Sequence, residues 1–262
     1  MIGFGNPSAG RIPGGFRGHL TKFLTSEGGS AIVVGMARLA RVVAPGVPHH
    51  VTQRGNRRQQ TFFCDADYQV YTQLMAQWCE REGVEIWAYC LMPNHVHLIA
   101  LPGTSESLAR AIGEAHRRYT RRVNFREGWR GHLWQGRFAS FPMDEAHTVR
   151  AARYIELNPV RAGLAKRAAE YRWSSAAAHV AGRDDGLVRV GPLLELAGEG
   201  RWEQFLGEQV RGEEWELLRR HERTGRPLGD EGFLARLESA LARALRPQKR
   251  GPKGPWKHRR SN

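Results

Sequence analysis

His95-Val96-His97 lies in an apolar run that continues Leu98-Ile99-Ala100-Leu101. Side chains alternate across a strand, so both imidazoles share one face, about 7 Å apart at Cα, while Val96 points to the other. Two neutral imidazoles so placed can chelate one divalent ion; two ordinary histidines on a solvated strand face would have the same spacing. A second constellation is Tyr154-Ile155-Glu156-Leu157-Asn158. On a helix, a spacing of four puts Tyr154 and Asn158 on one face, with Arg150 one turn earlier. Asn158 offers a carbonyl oxygen suited to a hard ion such as Mg²⁺ or Mn²⁺, and Tyr154 a phenol that can form a covalent intermediate once activated. In isolation the same residues describe a core tyrosine and a helix-terminal Asn. Other tyrosines compete for the role. Tyr119 sits among Arg117, Arg118, Arg121 and Arg122 but on the apolar stripe of its helix, Tyr89 lies in an apolar strand, and Tyr171 has no ligand partner at a useful spacing.

The elements that must carry these residues follow from periodicity. His49 to Arg54 reads as a strand ending at the turn Arg54-Gly55-Asn56. Asp67 to Glu82 reads as an amphipathic helix stopped by Gly83. Val84 to Leu91 and His95 to Leu101 read as two strands joined by Met92-Pro93-Asn94. Ser105 to Asn124 is a second helix, His132 to Phe141 a fourth strand, and Glu145 to Leu157 a third helix ended by Asn158-Pro159. The order β-α-β-β-α-β-α predicts an α+β, ferredoxin-like antiparallel sheet with helices packed on it, followed by a helical, basic C-terminal extension. Four regions are expected: 1–35 as an upstream extension of little structure, with Met36 a candidate start; 36–182 as the catalytic domain; 183–245 as a helical region; and 246–262 as a disordered basic tail. In the third region, Asp230 to Leu245 is a helix with Phe233, Leu234, Leu237, Leu241 and Leu245 on its apolar face.

Charge narrows the partner. The 262 residues hold 40 Lys and Arg against 26 Asp and Glu, a formal net charge of +14 that makes a polyanion the expected ligand. Arg117, Arg118, Arg121, Arg122 and Arg126 could track a phosphate backbone, or form a solvated helix face. Trp129, Trp134 and Phe138 lie among arginines, a mixture suited to stacking bases, though at least one should be core. No apolar stretch approaches a membrane span. Three cysteines without a CxxC pair argue against a disulfide scaffold or a cysteine zinc site and suit a reducing cytoplasm.

Four runs together resemble the REP-associated tyrosine transposases of the insertion-sequence-200-like group. They are Pro48-His49-His50-Val51-Thr52-Gln53-Arg54-Gly55-Asn56, Tyr89-Cys90-Leu91-Met92-Pro93-Asn94-His95-Val96-His97-Leu98, Leu133-Trp134-Gln135-Gly136-Arg137-Phe138, and Tyr154-Ile155-Glu156-Leu157-Asn158-Pro159-Val160-Arg161-Ala162-Gly163-Leu164. The resemblance covers roughly Met36 to Ala181. It implies a metal held by His95, His97 and Asn158, with Mg²⁺ or Mn²⁺ as cofactor, and Tyr154 as nucleophile. Some relatives carry Gln at the last ligand position. It also implies single-stranded DNA with hairpin or palindromic elements as partner, which Arg38 and Arg41 could reach as the family's N-terminal segment does; Arg117, Arg118, Arg121, Arg122 and Arg150 are further candidate DNA contacts from their charge and placement. Wider relatives act as dimers and this branch as monomers, and both remain open. The competing expectations are a non-catalytic DNA-binding protein of the same fold, a zinc hydrolase using His95, His97 and a carboxylate such as Glu114, and a basic RNA-binding protein.

Overall fold

Four antiparallel strands form one sheet: β1 (His49–Arg54), β2 (Val84–Met92), β3 (His95–Pro102) and β4 (Ala139–Pro142), in the spatial order β2-β3-β1-β4. The helices α1 (Asp65–Arg81), between β1 and β2, and α2 (Ser107–Glu127), between β3 and β4, complete the ferredoxin-like arrangement, and α3 (Glu145–Glu156) follows β4. In this computed structural model the chain divides into two units, Met1–Met36 and Ala37–Asn262. The residues described are 41–198, 201–208 and 212–246, all in the second unit. Met36, Arg38, the upstream extension and the tail beyond Arg246 lie outside them. No helix among the described residues is long and apolar enough to cross a membrane.

The alternation of β1 and β3 sorts their side chains onto two faces. Val51, Val96, Leu98 and Ala100 meet α1 and α2 through Tyr71, Met75, Leu108, Ile112 and Tyr119. Ile99, with Ala88 and Cys90 of β2 and Phe141 of β4, meets α3 through Ala151, Ala152, Tyr154 and Ile155. His97 belongs to this second face, because it stands two residues before Ile99 and opposite Thr52 in the β1–β3 register. Each face buries a separate apolar cluster, so the sheet is covered on both sides.

The covering of the second face comes from beyond α3. The short helices α4 (Asn158–Arg161), α5 (Ala176–Ala181), α6 (Gly191–Ala197) and α7 (Trp202–Gly207) are followed by α8 (Gly212–Thr224) and α9 (Glu231–Ala240). Leu193, Trp202, Leu206, Leu218 and Leu228 from this region join the α3 cluster. The same region closes both sheet edges, which would otherwise offer unpaired backbone groups to another chain. Along β2, Leu91 N donates to Trp173 O at 2.8 Å and Arg189 N to Ile86 O at 2.8 Å; along β4, Leu228 N donates to Pro142 O at 2.9 Å.

Two expectations need correction. The fourth strand is only Ala139–Pro142, and residues 132–138 form a loop that touches the sheet through a bridge between Gly55 and Trp134. Leu133, Trp134 and Phe138 are buried as expected of strand residues, but Gly131 and Gly136 adopt φ of 94° and 67°, which interrupt an extended run. The last helix ends at Ala240 rather than 245, with its N-terminus capped by Asp230, whose Oδ1 accepts from Phe233 N at 2.6 Å. Its expected apolar face does pack, since Phe233, Leu237 and Leu245 bury Val42 and Ala44. Arg226-Pro227, which reads in sequence as part of a basic arm, is folded in: Arg226 Nη1 donates to Leu245 O at 2.6 Å.

Burial of neutral histidines makes this fold acid-sensitive. His49 Nδ1–H donates to Val47 O at 2.7 Å while its Nε2 accepts from Ala44 N at 3.2 Å, a pattern only the uncharged ring can satisfy. Burial lowers His49 to about 4 and His116, which bonds Tyr71 Oη at 2.9 Å, to about 3. Below the ordinary value of 6.5 the unfolded chain takes up protons that the folded chain refuses, so stability falls as pH drops through 6.5 toward 4. Two such groups cost about 4 kcal/mol by pH 5. Thermal melts between pH 7.5 and 4.5 should show the melting temperature holding above pH 7 and dropping steeply below 6.

Candidate active site

The turn that leads into β3 presents the first histidine. Gly55 N donates to Asn94 O at 2.8 Å, and a Cβ on Gly55 would run into the carbonyl of Gln59, so only glycine allows the close approach. Asn94 Nδ2 donates to Arg58 O at 3.1 Å, tying down a loop in which Arg57 and Arg58 both have positive φ, 53° and 63°. That backbone is strained for a residue with a Cβ, and it places Arg58 on the wall of the cleft beside His95.

Both imidazoles have one nitrogen occupied. His95 Nδ1 lies 2.6 Å from Asn94 Oδ1, so this nitrogen carries the proton and Nε2 is bare. His97 Nδ1 lies 3.0 Å from Nε2 of His50, a buried residue of β1 stacked on it with ring centroids 5.2 Å apart. The tautomer in which His97 donates to His50 leaves Nε2 of His97 bare as well. A second residue holding the far nitrogen is the arrangement that orients metal-ligating histidines. Burial, with Arg54 and Arg161 nearby, lowers His95 to about 4, and burial together with its neighbours His95 and His50 lowers His97 well below the usual histidine range. Both rings are therefore neutral at pH 7.

Tyr154 and Asn158 reach the same cleft, of about 610 Å³, which Arg54, Arg58, Met92, His95, His97 and Arg161 also line. Asn158 Oδ1 accepts from Arg161 Nη2 at 2.9 Å and keeps a lone pair free, while its buried Nδ2 has no partner among the described residues. No group of three His, Cys, Asp or Glu side chains among those residues could hold a metal. Two imidazoles and an amide oxygen remain as the donor set, and they fit a hard divalent ion completed by phosphate or water oxygens.

The other tyrosines are occupied elsewhere. Tyr119 Oη donates to Thr61 O at 2.7 Å, Tyr89 Oη to Asp185 at 2.7 Å and Tyr171 Oη to Leu91 O at 2.8 Å. Tyr68 stacks between Phe62 and Trp173, and Tyr71 bonds His116. Glu114 lies on α2, against the opposite face of the sheet from His97, and pairs with Arg117 and Arg118 at 2.6 and 2.8 Å. Glu114 is therefore not at the histidines, and among the described residues no third His, Cys, Asp or Glu joins them as a metal-holding group.

The arginines divide. Arg117 and Arg118 are held by Glu114, and Arg126 by the buried Asp67. Arg121 and Arg122 are exposed. Arg41 is half-buried, its Nη2 donating to Phe138 O at 2.7 Å with the guanidinium 3.6 Å above that ring. Arg150 is exposed on α3 and is not among the residues lining the cleft. Sequence reasoning passed over His50, Arg54, Arg58 and Arg161, and all of α8, whose Arg219, Glu222 and Arg223 form one wall of the cleft. His50 carried a readable signal, since it sits one residue from His49 in a strand and faces the opposite way. For α8 no motif existed. Burial raises the Glu222 carboxyl above its ordinary range, against a hydrogen bond from Thr52 and the nearby Arg54, Arg219 and Arg223.

Residues 45–158 match the family described as Transposase IS200 like. None of the curated proteins matches the chain. Among solved structures, a REP-associated tyrosine transposase bound to a REP hairpin is 24% identical with a TM-score of 0.49, over 59% of this chain and 90% of its own. A candidate transposase from Deinococcus radiodurans is 19% identical with a TM-score of 0.33, over 46% of this chain and 96% of its own.

Proposed function

We propose that this protein, whose residues 45–158 match the IS200-like transposase family, cuts and rejoins single-stranded DNA at hairpin-bearing sites through a 5′-phosphotyrosine intermediate. The observation that carries the reading is the convergence of Tyr154, from α3, with the bare nitrogens of His95 and His97, from β3, in one arginine-lined cleft. Tyr154 Oη attacks the scissile phosphorus, its proton passes to solvent, and the P–O3′ bond breaks to leave a 3′-hydroxyl. The reverse attack by a 3′-hydroxyl restores a phosphodiester and frees the tyrosine, so bond energy is conserved. His95, His97 and Asn158 would hold Mg²⁺ or Mn²⁺, which when bound supplies Lewis-acid polarisation of a phosphate oxygen. Arg54, Arg58 and Arg161 line the same cleft and offset phosphate charge.

The test is adduct formation. Labelled single-stranded hairpin DNA mixed with the protein and Mn²⁺ or Mg²⁺ should give a denaturant-resistant adduct. EDTA and His97→Ala should each reduce that adduct to background. Tight DNA binding without adduct, across a panel of palindromes, would instead establish the non-catalytic DNA-binding reading.

Unpaired bases have a candidate platform at the end of α2. Phe125 is 90% exposed and Trp129 43%. Trp129 meets Phe63 edge-on at 5.7 Å, with Arg126 over the Phe63 ring. Gln135 N bonds Arg54 O at 2.8 Å and Asn124 Nδ2 bonds Gly131 O at 2.9 Å, so the loop 131–135 joins this patch to the end of β1 beside the cleft. Trp129→Ala should weaken binding of unpaired oligonucleotides roughly 10-fold, the worth of one stacked base, and leave duplex binding unchanged. Fluorescence anisotropy with the two probes reads the difference.

A further inference from the structure

We propose that Arg219, on α8 and outside the family-matched segment, is a catalytic residue whose guanidinium offsets the charge on the Tyr154 oxygen as that oxygen attacks and as it leaves. The inference rests on Tyr154 being the nucleophile. Arg219 and Tyr154 line the same cleft, close enough that, with Glu216, the tyrosine raises the Arg219 pKa, and Glu216, one turn earlier, holds the guanidinium at 2.7 Å. An arginine has donors and no acceptor, so toward the phenolic oxygen Arg219 can only donate. The phenol's own proton is thereby directed away from Arg219, free to leave when the oxygen attacks.

The ring of Tyr154 is clamped by α8 as well. Trp215 lies 4.9 Å from it, and the Arg161 guanidinium sits 4.6 Å from the Tyr154 ring centre and 4.3 Å from that of Trp215. α8 is itself seated on the sheet by the buried Leu218 and by His221, whose ring lies 5.8 Å from that of Phe141. Arg219 keeps 47% of its side-chain surface exposed, which leaves room for a phosphate beside the hydroxyl. In the forward step negative charge passes through the tyrosine oxygen to phosphorus, and in the reverse step it returns to that oxygen. A cationic donor held in the same cleft by Glu216 lowers both barriers.

The experiment measures the single-turnover rate of adduct formation at saturating DNA, the rate of religation, and DNA affinity, for wild type, Arg219→Ala and Arg219→Lys. Arg219→Ala should slow both rates 10²- to 10³-fold, the usual effect of removing one charge-stabilising donor, with affinity changed less than threefold and the melting temperature unchanged. Arg219→Lys should recover part of the rate, and added ethylguanidinium should rescue Arg219→Ala. An Arg219→Ala protein that keeps its rate at saturating DNA, or loses only affinity, overturns the proposal and makes Arg219 a phosphate contact. If wild type forms no Tyr154-dependent adduct, the nucleophile assignment fails first and this proposal with it.

Discussion

Tyr154→Phe should reduce the covalent DNA adduct by at least about 10³-fold while folding and DNA affinity stay near wild type. Only one oxygen is removed. The ring keeps its packing against Trp215 and Arg161, and Tyr154 is only 5% exposed, so phenylalanine fills the same space. What disappears is the atom proposed to attack phosphorus, and the other tyrosines are held elsewhere. Tyr119 Oη is committed to Thr61 on the far face of the sheet, so Tyr119→Phe should keep the adduct and lose only about 1 kcal/mol of stability for one buried hydrogen bond. Denaturing gels of both variants, with binding measured in parallel, decide the assignment. An adduct that survives Tyr154→Phe would move the nucleophile elsewhere.

Glu156→Ala should be the most destabilising single change near the site. Its side chain is fully buried and accepts from three donors: Ser175 Oγ at 2.5 Å, His179 Nδ1 at 2.6 Å and Trp202 Nε1 at 2.7 Å. These donors come from the segment before α5, from α5 and from α7, so one carboxyl group pins α3 to three parts of the chain that follows it. Truncation strands all three donors in a dry interior, at a cost of roughly 3–5 kcal/mol. For a chain of this size the melting temperature should fall by about 10 °C or more. Glu156→Gln keeps the shape and one acceptor and should lose less. Calorimetry of the two variants reads the effect, and a drop below 2 °C for Glu156→Ala would show that the cluster does not anchor the helix. Because Glu156 lies between Tyr154 and Asn158, a loosened α3 should also lower adduct yield at temperatures where the protein is still folded.

Much of the architecture was legible because the sheet obeys simple periodicity. The first strand is His49–Arg54 in the structure as in the pattern, and the histidine pair, the tyrosine and the asparagine line one cleft. The fourth strand was overread for a physical reason. Leu133, Trp134 and Phe138 fill the core from a glycine-broken loop, and burial alone does not distinguish a loop from a strand. α8 falls in the region expected to be helical, but its place at the cleft was not legible. Its sequence, Gly212-Glu213-Glu214-Trp215-Glu216-Leu217-Leu218-Arg219-Arg220-His221-Glu222-Arg223-Thr224, is the charged pattern of a solvated surface helix, and only Leu218 is fully buried. Its value to the site comes from where the fold sets it, which no local pattern encodes.

The placement of α8 has a consequence during synthesis. The histidines and the tyrosine have all left the peptidyl-transferase centre some 60 residues before Arg219, Glu222 and Arg223 are added. At ordinary elongation rates of 5–20 residues per second, that interval is about 3–12 s. Throughout it the nascent chain carries Tyr154 without Arg219 and a cleft with one wall missing. A message broken before codon 212 would yield the same half-built cleft permanently. The proposed cutting chemistry thus requires a chain that extends through α8, and shorter products carry the histidine and tyrosine motifs without the assembled cleft.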